Sequence, residues 1–383
     1  MTGRNEQPSI VIIGAGSTGR GHLGILAYEA GFRITFIERR QDLVDCLKTA
    51  GRYSVGLAGE TITAFEVDGF KVLHTSEMDE CAEAIANTDI VATAVIPTNL
   101  ESTVPTLAAG LSLRMRNGIE KPLNIIAAEN MERSSSTLRK YLKEISSGLD
   151  WNWIDEHVGF PDSMIARAVP VPEDPLVLLA EYTQEWSIDA NAIKQPMPYF
   201  EGITLCERQD AALERKLYIK NTGHMSIGVL GYLKGYTLMH EAANDPEIFD
   251  LVDCATSESA SAVIAKHGFP LEETEKYRKS FLTAMRSPFL PDEITRVVRQ
   301  PIRKLSREER LVGPAMLAYE TGHHPEALAK VIASTLKISI PGDAEAAALQ
   351  EMLGSQDIST VITKICGIHK GHPLAALIER NYR

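Results

Sequence analysis

Apolar and polar residues in the first half of the chain follow two alternating periods. Short aliphatic and β-branched runs, typical of buried strands, are separated by amphipathic stretches with helical spacing. The strand-like runs are IVIIG (10–14), RITFIE (33–38), DIVATAV (89–95) and LNIIAA (123–128). Helices are predicted over 18–30, with Gly31 as a C-cap, and over 77–86. Strands separated by helices predict a parallel sheet with right-handed crossovers.

Two later stretches depart from this alternation before the pattern becomes helical. Residues 53–74 alternate differently and predict a small antiparallel excursion, and 177–189 predicts one further strand and its exit. From Asp210 onward the apolar spacing is mainly helical. The helices predicted there cover 251–268, which ends in Gly268, 326–338 and 343–353.

Composition and charge narrow the classes of function. The 383 residues are 44% hydrophobic and 23% charged, as in globular proteins large enough for two domains. A formal net charge of −12 argues against nucleic-acid and membrane-surface partners, since both need a basic surface. The polar N-terminus, the lack of an apolar run of about 18 residues and five scattered cysteines without CxxC predict a cytoplasmic protein. No carboxylate or cysteine pattern completes a metal site, so no metal is expected.

A glycine motif follows the first predicted strand directly and opens a helix. It reads GxGxxG and is formed by Gly14, Gly16 and Gly19. In dinucleotide sites the first glycine permits a tight turn, the second lets the backbone approach a pyrophosphate, and the third allows close helix–strand packing. The helix N-terminus, here Ser17 and Thr18, offers N–H groups to the phosphates.

The motif and the strand pattern together predict the fold class. We expect an α/β N-terminal, Rossmann-like domain with a mainly parallel sheet over residues 1–195. A mostly α-helical C-terminal domain is expected over residues 196–383. The boundary is placed at QPMPYFEG (195–202), where two prolines and a glycine favour a domain junction.

Glu38 indicates which dinucleotide is bound. It ends the second predicted strand, 19 residues after Gly19, where an acidic side chain can bind both ribose hydroxyls. Its charge would repel a 2′-phosphate, which favours NAD over NADP. Arg39 and Arg40 keep NADP open, because either could pair with that phosphate, and all three residues could instead be solvated. Thr93 is a further candidate cofactor contact.

The segment KLYIKNTGH (216–224) carries candidate catalytic groups. Lys216, Asn221 and His224 are spaced by five and three residues and, at about 100° per residue, fit one half of a helix surface. A lysine with a lowered pKa can take a hydroxyl proton as hydride leaves carbon. The amide could donate to the nascent oxyanion, and His224 could orient the hydroxyl or tune the lysine. Lys220, only about 40° around the helix, is a rival base.

Asn130 is a candidate second amide donor. It follows the strand-like run LNIIAA, and ligands of open α/β sheets bind at the carboxyl ends of strands. The alternative is that it caps the helix predicted to open near residues 134–136. With the glycine motif, these groups indicate hydride transfer to or from a secondary alcohol.

A basic run, RQPIRKLSREER, offers a candidate site for a substrate phosphate. Arginine binds phosphate with two parallel hydrogen bonds, and lysine contributes a point charge. The candidates are Arg303, Lys304 and Ser306. The alternative is an exposed helix face whose cations pair with Glu308 and Glu309. In that case the substrate would be an unphosphorylated polyol or ketose.

Several segments of the chain together resemble a known family. They are GAGSTGRG (14–21), NIIAAENMERSS (124–135), HVGFPDS (157–163), ERKLYIKNTGH (214–224) and RQPIRKLSREERL (299–311). They are similar to the mannitol-1-phosphate 5-dehydrogenases, of the polyol-specific long-chain dehydrogenase/reductase family. The resemblance implies a metal-independent reaction in a cleft between the two domains, with Lys216 rather than Lys220 as general acid/base. It also implies that Asn130 and Asn221 stabilise the oxyanion and that His224 binds substrate.

The chain departs from the family pattern at three places. Ala166 replaces an aspartate before Arg167, AMRSP (284–288) replaces an RFxNP-like motif, and His22 stands where phenylalanine is common. The first two changes touch the expected substrate pocket.

The resemblance and the residues lead to one expected activity. It is NAD-dependent interconversion of a hexitol phosphate and a ketose phosphate, of the mannitol 1-phosphate/fructose 6-phosphate type. The alternatives are a dehydrogenase of a different sugar alcohol, phosphorylated or free, or of a uronate, and an NAD(H)-sensing binding module without catalysis. The expected partner is a small sugar alcohol or ketose in phosphorylated form, and the sequence leaves monomer and dimer open.

Overall fold

The computed structural model describes residues 7–59, 61–131, 133–182, 184–199, 201–289 and 292–383. The chain forms two compact units, one ending at Ala212 and the other beginning at Leu213. The strands are β1 (Ser9–Ile13), β2 (Arg33–Glu38), β3 (Arg52–Ala58), β4 (Ile62–Asp68), β5 (Lys71–His74), β6 (Ile90–Thr93), β7 (Leu123–Ala127), β8 (Val158–Gly159), β9 (Ser163–Ala166), β10 (Val177–Glu181), β11 (Glu185–Asp189) and β12 (Ile203–Cys206). The helices of the first unit are a π-helical segment Gly19–Gly24, α1 (Ile25–Glu29), α2 (Gln41–Ala50), α3 (Met78–Ala86), α4 (Val104–Arg116), α5 (Ser134–Ile145) and α6 (Trp151–His157), with short 3₁₀ turns at Pro97–Asn99, Glu101–Thr103 and Ala190–Ala192.

The main sheet of the first unit is parallel throughout, with the strand order β5-β2-β1-β6-β7-β8. Renumbered within the sheet, this is the 3-2-1-4-5-6 strand order of dinucleotide-binding folds. Successive strands are added toward one edge of the sheet from β1 and toward the other edge from β6, so the switch point lies between β1 and β6. Ile10 and Ile12 of β1 pack in one apolar cluster, and Val11 and Ile13 pack in another. Both faces of the sheet are therefore buried, which explains the continuous apolar runs. The predicted Rossmann-like α/β fold is confirmed.

Two segments differ from the sequence-based expectation. The antiparallel excursion over 53–74 is present as the β3–β4 pair, but β5 in the same stretch joins the main sheet parallel to β2. Its Val72 and Leu73 are buried apolar residues, so pairing with the sheet is favoured over solvent. The predicted single strand over 177–189 is two strands in separate sheets, β10-β3-β4 and β12-β11-β9. The alternation of apolar residues continues from β10 into β11 and does not show where one strand ends and the next begins.

The second unit is helical, as predicted. After α7 (Gln209–Arg215) and a π-helical segment Lys216–Asn221 come α8 (Thr222–Lys234), α9 (Met239–Ala243), α10 (Pro246–His267), α11 (Leu271–Met285), α12 (Ile294–Val298), α13 (Pro301–Lys304), α14 (Val312–Glu320), α15 (Glu326–Leu336), α16 (Ala344–Ser355), α17 (Ile358–Cys366) and α18 (Pro373–Tyr382). The helix α10 begins earlier than predicted, because the Asp245 carboxylate accepts the N–H groups of Glu247 and Ile248. It ends at Gly268, in the left-handed region at φ 68°, as expected of a C-cap.

The helices of the second unit surround an apolar core drawn from α8, α10, α14 and α15, which includes Val229, Val252, Ala315 and Val331. Within the described residues, no helix combines the length and apolar character needed to cross a lipid bilayer.

Candidate active site

The glycine motif forms a tight loop between β1 and the first helix. Gly14 has φ 103°, and its N–H donates to Ile37 O at 2.8 Å. A Cβ added at Gly19 would lie 1.9 Å from Gly14 O, whereas one added at Gly16 would meet no atom within 4 Å. Gly19 therefore permits close packing, and Gly16 faces open space where a pyrophosphate can approach. Helical geometry begins at Ser17, and the first N–H groups of a helix lack acceptors within it and can bind phosphates.

Two buried charged side chains fix the middle of this loop. The Ala15 N–H donates to Glu38 Oε2 at 2.9 Å, and the Ala15 carbonyl accepts from Arg20 Nε at 2.6 Å. Burial lowers the pKa of Arg20. Glu38 Oε1 also accepts the N–H groups of Arg39 and Arg40 at 3.0 Å and Arg40 Nε at 3.3 Å. Glu38 thus lies where the sequence placed it, and Arg40 pairs with it. Sequence reasoning missed Arg20, because no motif marks a buried arginine.

Thr93 lies at the carboxyl end of β6, but its hydroxyl is engaged inside the protein. The side chain is fully buried and donates to Glu129 Oε2 at 2.8 Å, while Val95 N–H donates to Glu129 Oε1 at 3.0 Å. Burial raises the pKa of Glu129 despite these bonds. Glu129 therefore ties the ends of β6 and β7 together, a role that the sequence did not reveal.

Asn130 follows Glu129 at the carboxyl end of β7 and is exposed. The alternative role of helix cap does not hold. The helix α5 begins at Ser134, and its N-cap position is Arg133, which has φ 47°. Asn130 is thus placed at the sheet edge where ligands of such folds bind.

The catalytic candidates of the second unit lie on a helix that is not uniformly α-helical. Residues Lys216–Asn221 form a π-helical segment, and α8 follows from Thr222. In a π-helix the hydrogen bonds join residues five apart, so Lys216 and Asn221 lie one turn apart on the same face. The α-helical assumption, with about 140° between them, is wrong for this pair. His224 follows Asn221 by three residues in the first turn of α8, about 60° away. The π segment therefore brings the three side chains closer together in angle than α geometry would.

Lys220 belongs to a separate aromatic cluster. Its Nζ lies 4.4 Å from the centre of the Tyr277 ring, and Arg215 lies 4.6 Å from the same ring. Arg215 Nη1 also bonds Glu273 at 2.6 Å. Both lysines are half-buried, and the ring contact engages the Lys220 amine, so Lys216 is kept as the proposed base.

His224 has an acidic partner that the sequence did not indicate. Its Nε2 lies 3.0 Å from Oδ2 of Asp292, and Arg296 donates to both Asp292 oxygens, at 2.8 and 2.7 Å. Burial opposes ionisation of Asp292, but His224 and Arg296 outweigh it and hold the pKa of this carboxyl below its ordinary value. The two residues are 68 positions apart, so no local spacing could have linked them.

The candidate phosphate residues have partners inside their own unit. Arg303 Nη1 bonds Glu309 at 2.8 Å, and its side chain is half-exposed. Lys304 is buried and donates to Val297 O at 2.6 Å, and burial together with Arg310 and Arg303 lowers its pKa to about 8. Ser306 is half-buried. The pairing with Glu309 matches the alternative that the sequence left open.

Arginines within or next to two of the departures from the family pattern have hydrogen-bond partners. Burial lowers the pKa of Arg167 to about 10, and its guanidinium donates to the carbonyls of Gly21 and Tyr182 at 3.4 and 3.3 Å. Arg286, within AMRSP, donates to Asn244 Oδ1 at 2.9 Å and lies over the Phe249 ring. Within the described ranges, no group of three or more His, Cys, Asp or Glu side chains is arranged to hold a metal ion.

Comparison with known proteins assigns both halves of the chain to one family. Residues 8–202 match the mannitol dehydrogenase Rossmann domain, and residues 210–382 match the mannitol dehydrogenase C-terminal domain. A mannitol-1-phosphate 5-dehydrogenase of Geobacillus thermodenitrificans is 35% identical over 377 residues, which cover 97% of this chain and 98% of the relative. One of Bacillus subtilis is 35% identical over 368 residues, covering 95% and 97%. The resemblance inferred from the sequence is confirmed.

Solved structures share the fold at low sequence identity. A substrate-free D-sorbitol dehydrogenase superposes with a TM-score of 0.82 at 18% identity, covering 97% of this chain and 92% of the other. The Pseudomonas fluorescens mannitol 2-dehydrogenase, in a ternary complex with NAD and D-mannitol, gives 0.72 at 18% identity, covering 99% and 92%. With both of its domains matched in sequence and its fold shared by these dehydrogenases, the chain belongs to the mannitol dehydrogenase family.

Proposed function

We propose that this chain is an NAD-dependent dehydrogenase that interconverts a hexitol phosphate and a ketose phosphate, of the mannitol 1-phosphate/fructose 6-phosphate type. The observation that carries the proposal is the π-helical segment Lys216–Asn221, which aligns a lysine, an amide and, one turn on, an imidazole. It occurs in a chain whose relatives, 35% identical over nearly their whole length, are named mannitol-1-phosphate 5-dehydrogenases.

The chemistry assigns one task to each group. In the oxidation direction, Lys216 as a free amine takes the proton of the reacting hydroxyl. Bound NAD would supply the acceptor for the hydride that leaves the same carbon. The amides of Asn221 and Asn130 donate to the oxygen as its negative charge grows, and His224 binds a substrate hydroxyl. In reduction the same lysine, as an ammonium, returns the proton to the new alkoxide. No metal is needed, since the amides and the ammonium stabilise the negative charge on the reacting oxygen.

The cofactor is proposed to be NAD. Gly16 leaves room for the pyrophosphate, and the buried Glu38 carboxylate would repel a 2′-phosphate. Its Oε2 accepts a hydrogen bond from Ala15 N–H and keeps a second lone pair for a ribose hydroxyl. Arg40, one of the two arginines that could have favoured NADP, is paired with Glu38.

A reducing, cytoplasmic setting is part of the proposal. All five cysteines lie in described parts of the chain and are free thiols. Phosphorylated sugars are also products of intracellular chemistry, which fits the proposed substrate class.

The base is tested with a matched pair of lysine variants. Lys216→Met is expected to lower kcat by about 10²- to 10⁴-fold, the contribution of a positioned acid/base group, while NADH binding stays unchanged. Lys220→Met keeps the same alkyl stem and should change kcat far less, because its amine lies against Tyr277. Equal losses in the two variants would refute the assignment of Lys216. A protein that binds NADH but oxidises no polyol would instead support the NAD(H)-sensing alternative.

The substrate is tested by comparing phosphorylated and free sugars. Within the candidate phosphate set, Arg303 is the residue whose half-exposed side chain can exchange Glu309 for a substrate phosphate. Arg303→Met should therefore raise KM for fructose 6-phosphate and leave the rate with free fructose unchanged. If the parent protein uses fructose, or a uronate, as well as fructose 6-phosphate, then the Arg303–Glu309 pair is structural and the unphosphorylated alternative holds.

A further inference from the structure

The imidazole of His224 has a defined partner on one side only. Its Nε2 lies 3.0 Å from Asp292 Oδ2, and an ionised carboxylate can only accept a hydrogen bond. Nε2 therefore carries the hydrogen, and in the neutral ring Nδ1 is a bare acceptor. The described residues form no hydrogen bond to Nδ1. The geometry thus selects one tautomer of the ring and leaves its lone pair for a ligand.

Asp292 is itself held at several points. Arg296 binds it through two parallel bonds, from Nε to Oδ1 and from Nη2 to Oδ2. Its backbone carbonyl accepts Met239 N–H at 2.9 Å, and the next residue, Glu293, forms a β-bridge with Leu238. The carboxylate therefore has little freedom to turn away from the imidazole.

The approach of this segment to α8 depends on two glycines. Gly228 and Gly231 follow His224 at i+4 and i+7, on the same helix face. A Cβ at Gly231 would lie 2.7 Å from Ile294 Cδ1, and one at Gly228 would lie 2.9 Å from Val297 Cγ1. Helix α12 therefore packs directly on the glycine face, and Asp292, two residues before its start, reaches His224.

We propose that Asp292, fixed by Arg296, is a positioning residue that holds His224 as the Nε2–H tautomer, so that Nδ1 accepts a hydrogen bond from a substrate hydroxyl. The statement about the substrate rests on the proposed function. A lone pair attracts a hydroxyl hydrogen and repels a carbonyl oxygen. His224 would then recognise a hydroxyl beside the reacting carbon, whereas Asn221, an amide donor, serves the reacting oxygen.

The tautomer is tested by NMR without any substrate. Two-bond ¹H–¹⁵N correlation spectra of the ¹⁵N-histidine-labelled protein, with the ring assigned from a His224→Gln spectrum, distinguish protonated from bare ring nitrogens. Above the titration range of the ring, His224 should show a protonated Nε2 and a bare Nδ1. In Asp292→Asn the amide can either accept or donate, so a mixture of tautomers is expected. A protonated Nδ1 in the unmodified protein would overturn the inference, even if Asp292→Asn failed to fold.

The consequence for substrate binding is tested by kinetics. Asp292→Asn should lower kcat/KM for the sugar by about 10- to 100-fold, as when the partner that orients a functional imidazole is lost. NADH binding should not change. The control, Glu293→Gln, removes the adjacent exposed carboxylate, and its kcat/KM should remain that of the unmodified protein. Unchanged kcat/KM in Asp292→Asn, or an equal loss in Glu293→Gln, would overturn the positioning role. Failure of the proposed function would appear separately, as no NADH consumption by the unmodified protein.

Discussion

Substitution of two glycines in the same loop is expected to separate folding from cofactor binding. Gly19→Ala places a Cβ 1.9 Å from Gly14 O and 3.0 Å from Gly14 C, and both are backbone atoms that cannot rotate aside. Gly16→Ala places a Cβ with no atom within 4 Å. The two variants add the same methyl group three residues apart, so each is the control for the other.

The expected magnitudes follow from these distances. Overpacking of this kind costs about 1–3 kcal/mol of unfolding free energy. For a domain the size of the first unit, about 2–4 °C of Tm is lost per kcal/mol, so Gly19→Ala should lower its Tm by about 2–12 °C. Gly16→Ala should leave Tm unchanged or slightly raised, because alanine restricts the unfolded chain. A pyrophosphate that must avoid the new methyl at residue 16 meets a similar steric cost, which corresponds to about 5- to 150-fold weaker NADH binding.

The measurements are differential scanning calorimetry without cofactor and a fluorescence titration with NADH. The Tm should fall in Gly19→Ala alone, and the Kd should rise in Gly16→Ala without loss of Tm. If Gly16→Ala bound NADH as tightly as the parent, the open space beside Gly16 would not be the pyrophosphate position. If Gly19→Ala kept its Tm, the close packing of the helix on β1 would not be as described.

Two further predictions concern buried charges. The pKa of Lys304 is about 8 in the folded protein, against about 10.4 in the unfolded chain, so the unfolded state binds more protons between these values. The free energy of unfolding of the parent should therefore rise, relative to Lys304→Met, by up to about 3 kcal/mol as pH increases from 8 to 10.4, and parallel pH profiles in urea unfolding would contradict this. Glu129→Ala should lower the free energy of unfolding by about 1–3 kcal/mol, because Thr93 and the Val95 N–H lose a buried acceptor. Glu129→Gln should lower it less, because its amide oxygen still accepts one bond, and equal unfolding midpoints for the two variants would argue against this role.

Much of the cofactor domain could be read from local patterns. The runs 10–14, 33–38 and 123–128 are strands within a residue of the prediction at either end, because strands buried on both faces are apolar throughout. The glycine spacing was informative for a similar reason, since the turn at Gly14 and the contact at Gly19 are made within one short loop. Where the pattern covered two strands in different sheets, as over 177–189, it could not show the change of partner.

The sequence by itself determined the identity and order of the chemical groups: GxGxxG with Glu38, and Lys216, Asn221 and His224 within nine residues. These features are local, so spacing and residue type suffice to recognise them. Only the tertiary structure decided that residues 216–221 are π-helical and that Asp292 lies behind His224. Helix type and long-range pairing depend on what packs against each segment, and that is set by contacts between residues far apart in the chain, which no local pattern encodes.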